Sequence, residues 1–325
     1  WPNGKSQPVN TTCVRNQGIE LTVGYDWIFA KDWRWKTSVN FSYNVNKILN
    51  VYTNAEGKET NFEVSAAQGV QVKYQKDGTY GDMYVTDFDR WGTDVTDASG
   101  KLLHRAGDIY VKADGTPSFN GSTWKLNDAG KPELIEGGGT GSYGKFIGNM
   151  NAPYQLSWSN TFSYKNFSLY FLINGRIGGK VISITEAYLD RLGLSQRTAD
   201  ARLAAERDGI EYAAGVPGMY INEGRDLVPI KGYFNEVGYK DASSYVYDAT
   251  NFRLRELSLG YTFRDLFGEN KNLSLSFIAR NLFFIYKDAP VDPDISISTG
   301  NSLKAFECFN LPSSRSFGFN LKVNF

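Results

Sequence analysis

The sequence predicts an all-β protein, a transmembrane antiparallel β-barrel with long outer loops. Three observations carry this: a strict alternation of apolar and polar residues over long segments, an aromatic- and glycine-rich composition, and connections that are alternately short and long. In the first segment Ile19, Leu21, Val23, Tyr25 and Trp27 alternate with Glu20, Thr22, Gly24 and Asp26. After the short link Ala30-Lys31-Asp32, the residues Trp33, Trp35, Val39, Phe41, Tyr43 and Val45 alternate with polar ones, as in a hairpin. A second hairpin has Tyr154, Leu156, Trp158, Phe162 and Tyr164 on one strand, a turn at Lys165-Asn166, then Phe167, Leu169, Phe171, Ile173 and Ile177. Leu257, Leu259, Tyr261 and Phe263 start a third group. Phe252 and Leu254 are out of register with them, which predicts a bulge. Leu273, Leu275, Phe277, Ala279 and Phe283 follow, and Phe317, Phe319, Leu321, Val323 and Phe325 form the last strand.

Composition narrows the class. The chain has 21 Phe, 20 Tyr and 33 Gly against 3 Met and 2 Cys, which suits many strands joined by turns. Formal net charge is zero, so no electrostatic footprint for nucleic acid exists. His104 is the single histidine, which leaves little material for imidazole catalysis or a histidine metal site, and no cofactor is expected. No run of about 18 apolar residues occurs, so no transmembrane helix is predicted. A mean hydropathy of -0.39 is compatible with a barrel, whose strands carry apolar residues only at every second position. Trp1-Pro2-Asn3-Gly4 has no signal-peptide character, and the expectation is a chain that begins within a longer polypeptide. Cys13 and Cys308 are expected as unpaired thiols, with a disulfide between strand ends as the alternative.

A soluble β-sandwich also alternates. Three details favour a membrane: Ser-, Asn- and Gln-rich polar faces suited to a wet lumen, aromatics near strand ends, and a terminal aromatic on the last strand. Loop lengths agree. About seven strands are counted, and with Phe325 in the periplasm every short link falls there, while Val51–Asn149, Thr185–Thr250 and Lys287–Pro312 all fall outside. Seven strands cannot close a barrel in lipid, so further strands are expected from upstream residues.

The segments Val14-Arg15-Asn16-Gln17-Gly18-Ile19-Glu20, Tyr80-Gly81-Asp82-Met83-Tyr84, Ile147-Gly148-Asn149 with Pro153-Tyr154, and Tyr164-Lys165-Asn166-Phe167 carry a resemblance. So do Phe252-Arg253-Leu254-Arg255-Glu256-Leu257-Ser258-Leu259-Gly260-Tyr261, Ala279-Arg280-Asn281-Leu282-Phe283, Asp292-Pro293-Asp294 and Arg315-Ser316-Phe317-Gly318-Phe319. In order and spacing they resemble the SusC/RagA-like TonB-dependent outer-membrane proteins over nearly the whole chain. The resemblance implies the closing strands of a plugged barrel of about 22 strands. It also implies a TonB complex contacted through an N-terminal part, a SusD-like surface lipoprotein as a lid, and import of oligosaccharides or peptides across the outer membrane of a Gram-negative bacterium. In barrels of this kind the outer-membrane assembly machinery reads the last strand, so Phe317, Phe319, Leu321, Val323 and Phe325 are expected to act as an assembly signal.

The first long loop carries Tyr80, Tyr84, Phe88, Asp89, Arg90, Trp91 and Trp124. Aromatic faces stack on sugar rings and Asp or Arg bonds hydroxyls or peptide groups, so Tyr84, Phe88, Asp89, Arg90, Trp91 and Trp124 are the expected substrate contacts; the competing expectation is a core internal to the loop. Asp288, Asp292 and Asp294 have the oxygen ligands of a Ca²⁺ site, but the resemblance makes them a structural outer loop. The Gly-rich run from Glu136 to Lys145 lacks the ending of a phosphate loop. Ser195–Asp208 reads as a loop helix capped by Ser195 with an Ala199, Leu203 and Ala204 stripe. No motif fixes a catalytic pair, and an enzyme is not expected. A passive porin and a soluble β-rich carbohydrate-binding module are the rival readings.

Overall fold

The computed structural model describes residues 12–54, 56–65, 69–112, 116–137, 142–221, 226–236, 238–266, 268–269, 271–298 and 303–324. Seven strands form one antiparallel sheet: β1 (Cys13–Ala30), β2 (Trp33–Asn50), β3 (Tyr154–Tyr164), β4 (Phe167–Ile177), β5 (Asn251–Phe263), β6 (Asn272–Lys287) and β7 (Ser316–Asn324). Each pairs with the next along the chain. The period of two sets the faces, because in-register pairing keeps apolar residues opposite apolar ones. One row runs Trp27, Trp35, Phe162, Leu169, Leu259, Phe277 and Phe319 across all seven strands. The expected bulge is present. Register slips between Leu254 and Glu256 where β5 pairs with β6, and between Leu172 and Ile173 where β4 pairs with β5. The slip returns Leu254 and Phe252 to the apolar face opposite Ile173 and Gly175. A Cβ on Gly175 would meet the Phe252 ring at 2.5 Å, so only glycine admits that ring.

Short turns gather at one rim. The Lys165 N–H donates to the Asp32 carbonyl at 3.0 Å and the Thr262 N–H to the Asn166 carbonyl at 2.9 Å. All three long connections leave the opposite rim, as the loop-length parity requires. They are built rather than loose. Val72 and Met83 of the first loop, Ile182 of the second and Phe306 of the third share one buried core. A second core joins Phe88 and Ile109 of the first loop to Ala205, Ile230 and Phe234 of the second. The second loop carries α1 (Ile184–Leu192), α2 (Gln196–Arg207) and α3 (Ile230–Glu236). Ser183 and Ser195 cap α1 and α2 by accepting from the Glu186 and Thr198 amides, and Gly193 closes α1 at φ 73°.

The structure corrects two details. The α2 stripe is not Ala199, Leu203 and Ala204: Leu203 is 62% exposed, and Thr198 and Ala205 are the buried residues, with Ala201 packed beside them. Small side chains let α2 lie close to its neighbours, so bulk was the wrong guide. The apolar face is also not wholly apolar. Thr37 and Asn160 pair with each other on it, between Tyr25 and Phe171. Cys13 and Cys308 are both free thiols. The outer edges of β1 and β7 have no partner among the described residues, and both strands are exposed.

Candidate functional site

Five of the six loop residues nominated from sequence, all but Arg90, pack inside the loops. Trp91 is 1% exposed, stacks on His104 at 5.0 Å and meets the Tyr110 ring edge-on. Trp124 stacks on Tyr110 at 4.7 Å. Phe88 is buried among second-loop residues. Asp89 is buried and accepts from the Asn120 and Ser122 amides at 3.0 and 2.7 Å, which fixes the 118–122 turn. Tyr84 is buried, its hydroxyl accepting from the Gln75 amide at 2.7 Å, and burial pushes its phenol up. These ring faces are covered, so the expectation of direct stacking on a substrate is corrected at Tyr84, Phe88 and Trp91; aromatic area on a long loop went into folding the loop. Arg90 alone of the six lines the large cavity between the loops, with its guanidinium donating to Asp241 at 2.5 Å and to the Gly107 carbonyl at 2.7 Å. His104 is buried in the same region, and burial pushes its imidazole down to about 4.

A charged cluster that composition did not single out sits at the loop-side end of β4 and β5. Arg253, 2% exposed, donates to Asp292 at 2.5 Å and to the Ser313 hydroxyl at 3.0 Å. Its guanidinium lies 3.8 Å over the Phe284 ring. Arg255 and Arg176 both donate to Asp294, at 2.7 and 3.0 Å. Burial alone would raise the Asp292 carboxyl, but hydrogen bonds from Ser313 and Arg253 outweigh it and hold it below the usual carboxylate value. Two carboxylates therefore tether the third outer loop to inward residues of two strands. Among the described residues no group of His, Cys, Asp or Glu has the arrangement of a metal site, and Asp288 accepts instead from the Asp248 amide at 3.3 Å. The legible signal was the spacing of Arg253 and Arg255 on one polar face together with the Asp-Pro-Asp step.

Below this cluster the inner wall is polar. A hollow of about 350 Å³ is lined by Glu20, Asn40, Gln155, Asn174, Arg176 and Arg255 among others. Such a surface offers hydrogen-bond donors and acceptors to a hydrated solute and no nucleophile–base pair. A further feature the sequence held in plain view is a repeated hairpin tip at Asn54, Asp97 and Asn127. At each the side-chain oxygen accepts two amides, from Glu56 and Lys58, Ser99 and Lys101, or Ala129 and Lys131. A glycine of positive φ sits three residues on, at Gly57, Gly100 and Gly130. On β7 the side chains of Phe317, Phe319, Leu321 and Val323 face outward in register with Ala279, Phe277, Leu275 and Leu273, and Phe325 lies outside the described residues. Gly138 to Gly141 of the Gly-rich run also lie outside them; the flanks 132–136 and 145–149 are strands, not the strand and helix of a phosphate loop.

No protein-family model matches the chain. Two curated proteins of Formosa agariphila are similar to it. TonB-dependent receptor P39 is 25% identical over 97% of the chain, and TonB-dependent receptor P3 is 22% identical over 98%. The chain spans 31% and 30% of the length of these relatives. Among solved structures, the RagAB peptide transporter aligns over 97% of the chain with a TM-score of 0.54 and 17% identity. The RagAB peptide importer in its closed-closed state aligns over 97% with a TM-score of 0.58 and 17% identity. Both alignments cover 30% of the solved chain. These relatives are receptors and transporters, not enzymes. The chain is thus similar in sequence to part of two TonB-dependent receptors, and its seven-stranded sheet shares its fold with part of the RagAB peptide transporter.

Proposed function

We propose that the chain is the C-terminal part of the barrel domain of an outer-membrane importer that takes up oligosaccharides or peptides, energised through the TonB complex and closed outside by a SusD-like surface lipoprotein. The plug, the TonB-contacting segment and the earlier strands belong to upstream residues. The observation that carries the reading is a seven-stranded wall with a polar inner face, apolar outer rows and three long loops fused into one cap. Unpaired sheet edges in lipid cost several kcal/mol per backbone group, which supports further strands. Similarity to TonB-dependent receptors supports energy coupling, and likeness to the RagAB peptide transporter supports peptides and a lipoprotein partner. The apolar β7 row, with Phe325, supports recognition by the outer-membrane assembly machinery.

The test is uptake of labelled peptide and oligosaccharide pools by cells carrying the full-length protein, with and without functional TonB. TonB-dependent uptake, with a surface lipoprotein co-purifying, is the expected result. Uptake that persists unchanged without TonB would make the barrel a passive pore.

A further inference from the structure

The apolar face of β1 and β2 has two aromatic levels. Trp33 pairs with Tyr164 at the turn-side rim, their ring centroids 4.3 Å apart, and Tyr43 pairs with Tyr154 at the loop-side rim, at 4.9 Å. From Trp33 to Tyr43 at about 3.4 Å per residue and a tilt of about 40° is about 26 Å, the height of an apolar band between girdles. Beyond the upper level the same face carries Gln17 and Val45, then Arg15 opposite Lys47. The alternate residues Val14, Asn16, Asn44 and Asn46 line the inner hollow, so Arg15 and Lys47 point outward. By the same rise they stand about 10 Å above the upper girdle, at the depth of lipid headgroups.

This placement breaks a local rule. Residues directly opposite on antiparallel strands bring their side chains together, and like charges there repel. Arg15 has no hydrogen-bond or ion-pair partner among the described residues. Lys47 meets Asp77 at 2.7 Å, but their side chains are 45% and 69% exposed, so water screens that pair and leaves Lys47 able to turn to a second anion. Lys76, next to Asp77, is matched by Glu59 at 2.7 Å. The three charges Arg15, Lys47 and Asp77 leave a net positive one on a face that borders the headgroups.

We infer that Arg15 and Lys47 bind the phosphate of an outer-leaflet lipid, whose acyl chains lie on the apolar rows below. A guanidinium fork takes a phosphate through two N–H donors, and the lysine adds a point charge from the facing strand. The anion converts the repulsion into a shared contact. The inference rests on the barrel reading, and arginine at Val39 and at Asn40 tests the lipid-facing side separately, so the two can fail independently.

The experiment is native mass spectrometry of the full-length protein in detergent, titrated with lipid A and with lipid A stripped of its phosphates. Lipid A is expected to bind saturably and about tenfold or more tighter than the stripped lipid. Arg15→Gln with Lys47→Gln is expected to erase that preference, and Lys31→Gln, at the opposite rim, to leave it. Inorganic phosphate at equal concentration is expected not to displace the lipid, because it has no acyl chains to hold on the apolar rows. Thermal unfolding in lipid-free micelles gives a second readout: Arg15→Gln is expected to be as stable as the parent or more so, since it removes repulsion. Equal affinity for the two lipids, a preference that survives the double change or is lost equally in Lys31→Gln, or displacement by inorganic phosphate would overturn the inference. So would a lower unfolding temperature for Arg15→Gln, which would mean that Arg15 is already paired within the protein.

Discussion

Removing the Asp292 carboxylate tests whether the third outer loop is held by charge. Arg253 is almost fully buried and its closest carboxylate is Asp292, at 2.5 Å. Breaking a buried pair by deleting one partner costs about 3–5 kcal/mol, because the remaining charge is left uncompensated. Arg253 keeps the Ser313 hydroxyl at 3.0 Å, the Phe284 ring at 3.8 Å and Asp294 at 4.0 Å, so Asp292→Ala belongs at the lower end, about 3 kcal/mol. The exposed Asp288, in the same loop, is the control, and Asp288→Ala is expected to change stability by no more than about 0.5 kcal/mol. The assay is denaturant unfolding of full-length protein in detergent, followed by tryptophan fluorescence, with limited proteolysis of the 288–315 loop alongside. The double change Arg253→Met with Asp292→Leu removes both charges and is expected to recover most of the loss. Equal midpoints for Asp292→Ala and Asp288→Ala would refute the reasoning.

The barrel wall was legible because its physics is local. A strand buried on one side by lipid writes its face into every second residue, and Trp27, Trp35 and Phe162 fall in one row with no further information. The bulge near Arg255 was legible for the same reason, as a break in that period. The loops were not legible because their cores are assembled from distant segments. Phe88 is covered by Ile230 and Phe234, which lie far along the chain, and nothing around Phe88 announces this. Trp91 and Trp124 were visible as an aromatic cluster, but the same composition serves a binding face and a mini-core, and only Tyr110, edge-on to Trp91 and stacked on Trp124, with His104 stacked on Trp91, decides.

Three further outcomes follow from the topology. Val39 faces lipid opposite Val23 and Trp158, six residues above the β1–β2 turn, so Val39→Arg should cost about 2–4 kcal/mol near mid-bilayer, while Asn40→Arg on the inner face is tolerated; equal losses in detergent-free unfolding would contradict the assigned faces. Cysteine at Asp128, on an exposed hairpin tip, should react with an impermeant thiol reagent on intact cells, and cysteine at Asp32 only after lysis; the opposite pattern would invert the topology. Deleting Phe325 should sharply lower the amount of barrel in outer-membrane fractions, and unchanged abundance would make this residue a packing group and not an assembly signal.

The Thr37–Asn160 pair on the lipid-facing side shows how a polar side chain is kept there. The Trp35 indole N–H donates to Asn160 Oδ1 at 3.0 Å, and the Trp158 indole N–H donates to the Thr37 hydroxyl at 3.0 Å. Asn160 is 1% exposed, and its Nδ2 has no hydrogen-bond partner among the described residues. Each tryptophan thus finds within the sheet the acceptor that lipid cannot supply, while one amide group stays unmatched. Asn160→Leu removes the unmatched Nδ2 but leaves the Trp35 N–H without an acceptor; groups of this kind cost about 1–3 kcal/mol each, so the two effects nearly cancel. Trp35→Phe leaves both amide atoms unmatched and also loses indole area stacked on Phe162 at 5.6 Å. A double-mutant cycle removes the area effect, because that loss is common to both backgrounds. Trp35→Phe should therefore cost about 1–3 kcal/mol more in the parent than in the Asn160→Leu background. Equal costs would mean that the 3.0 Å contact contributes nothing net, and that Asn160 is held by the surrounding rings alone.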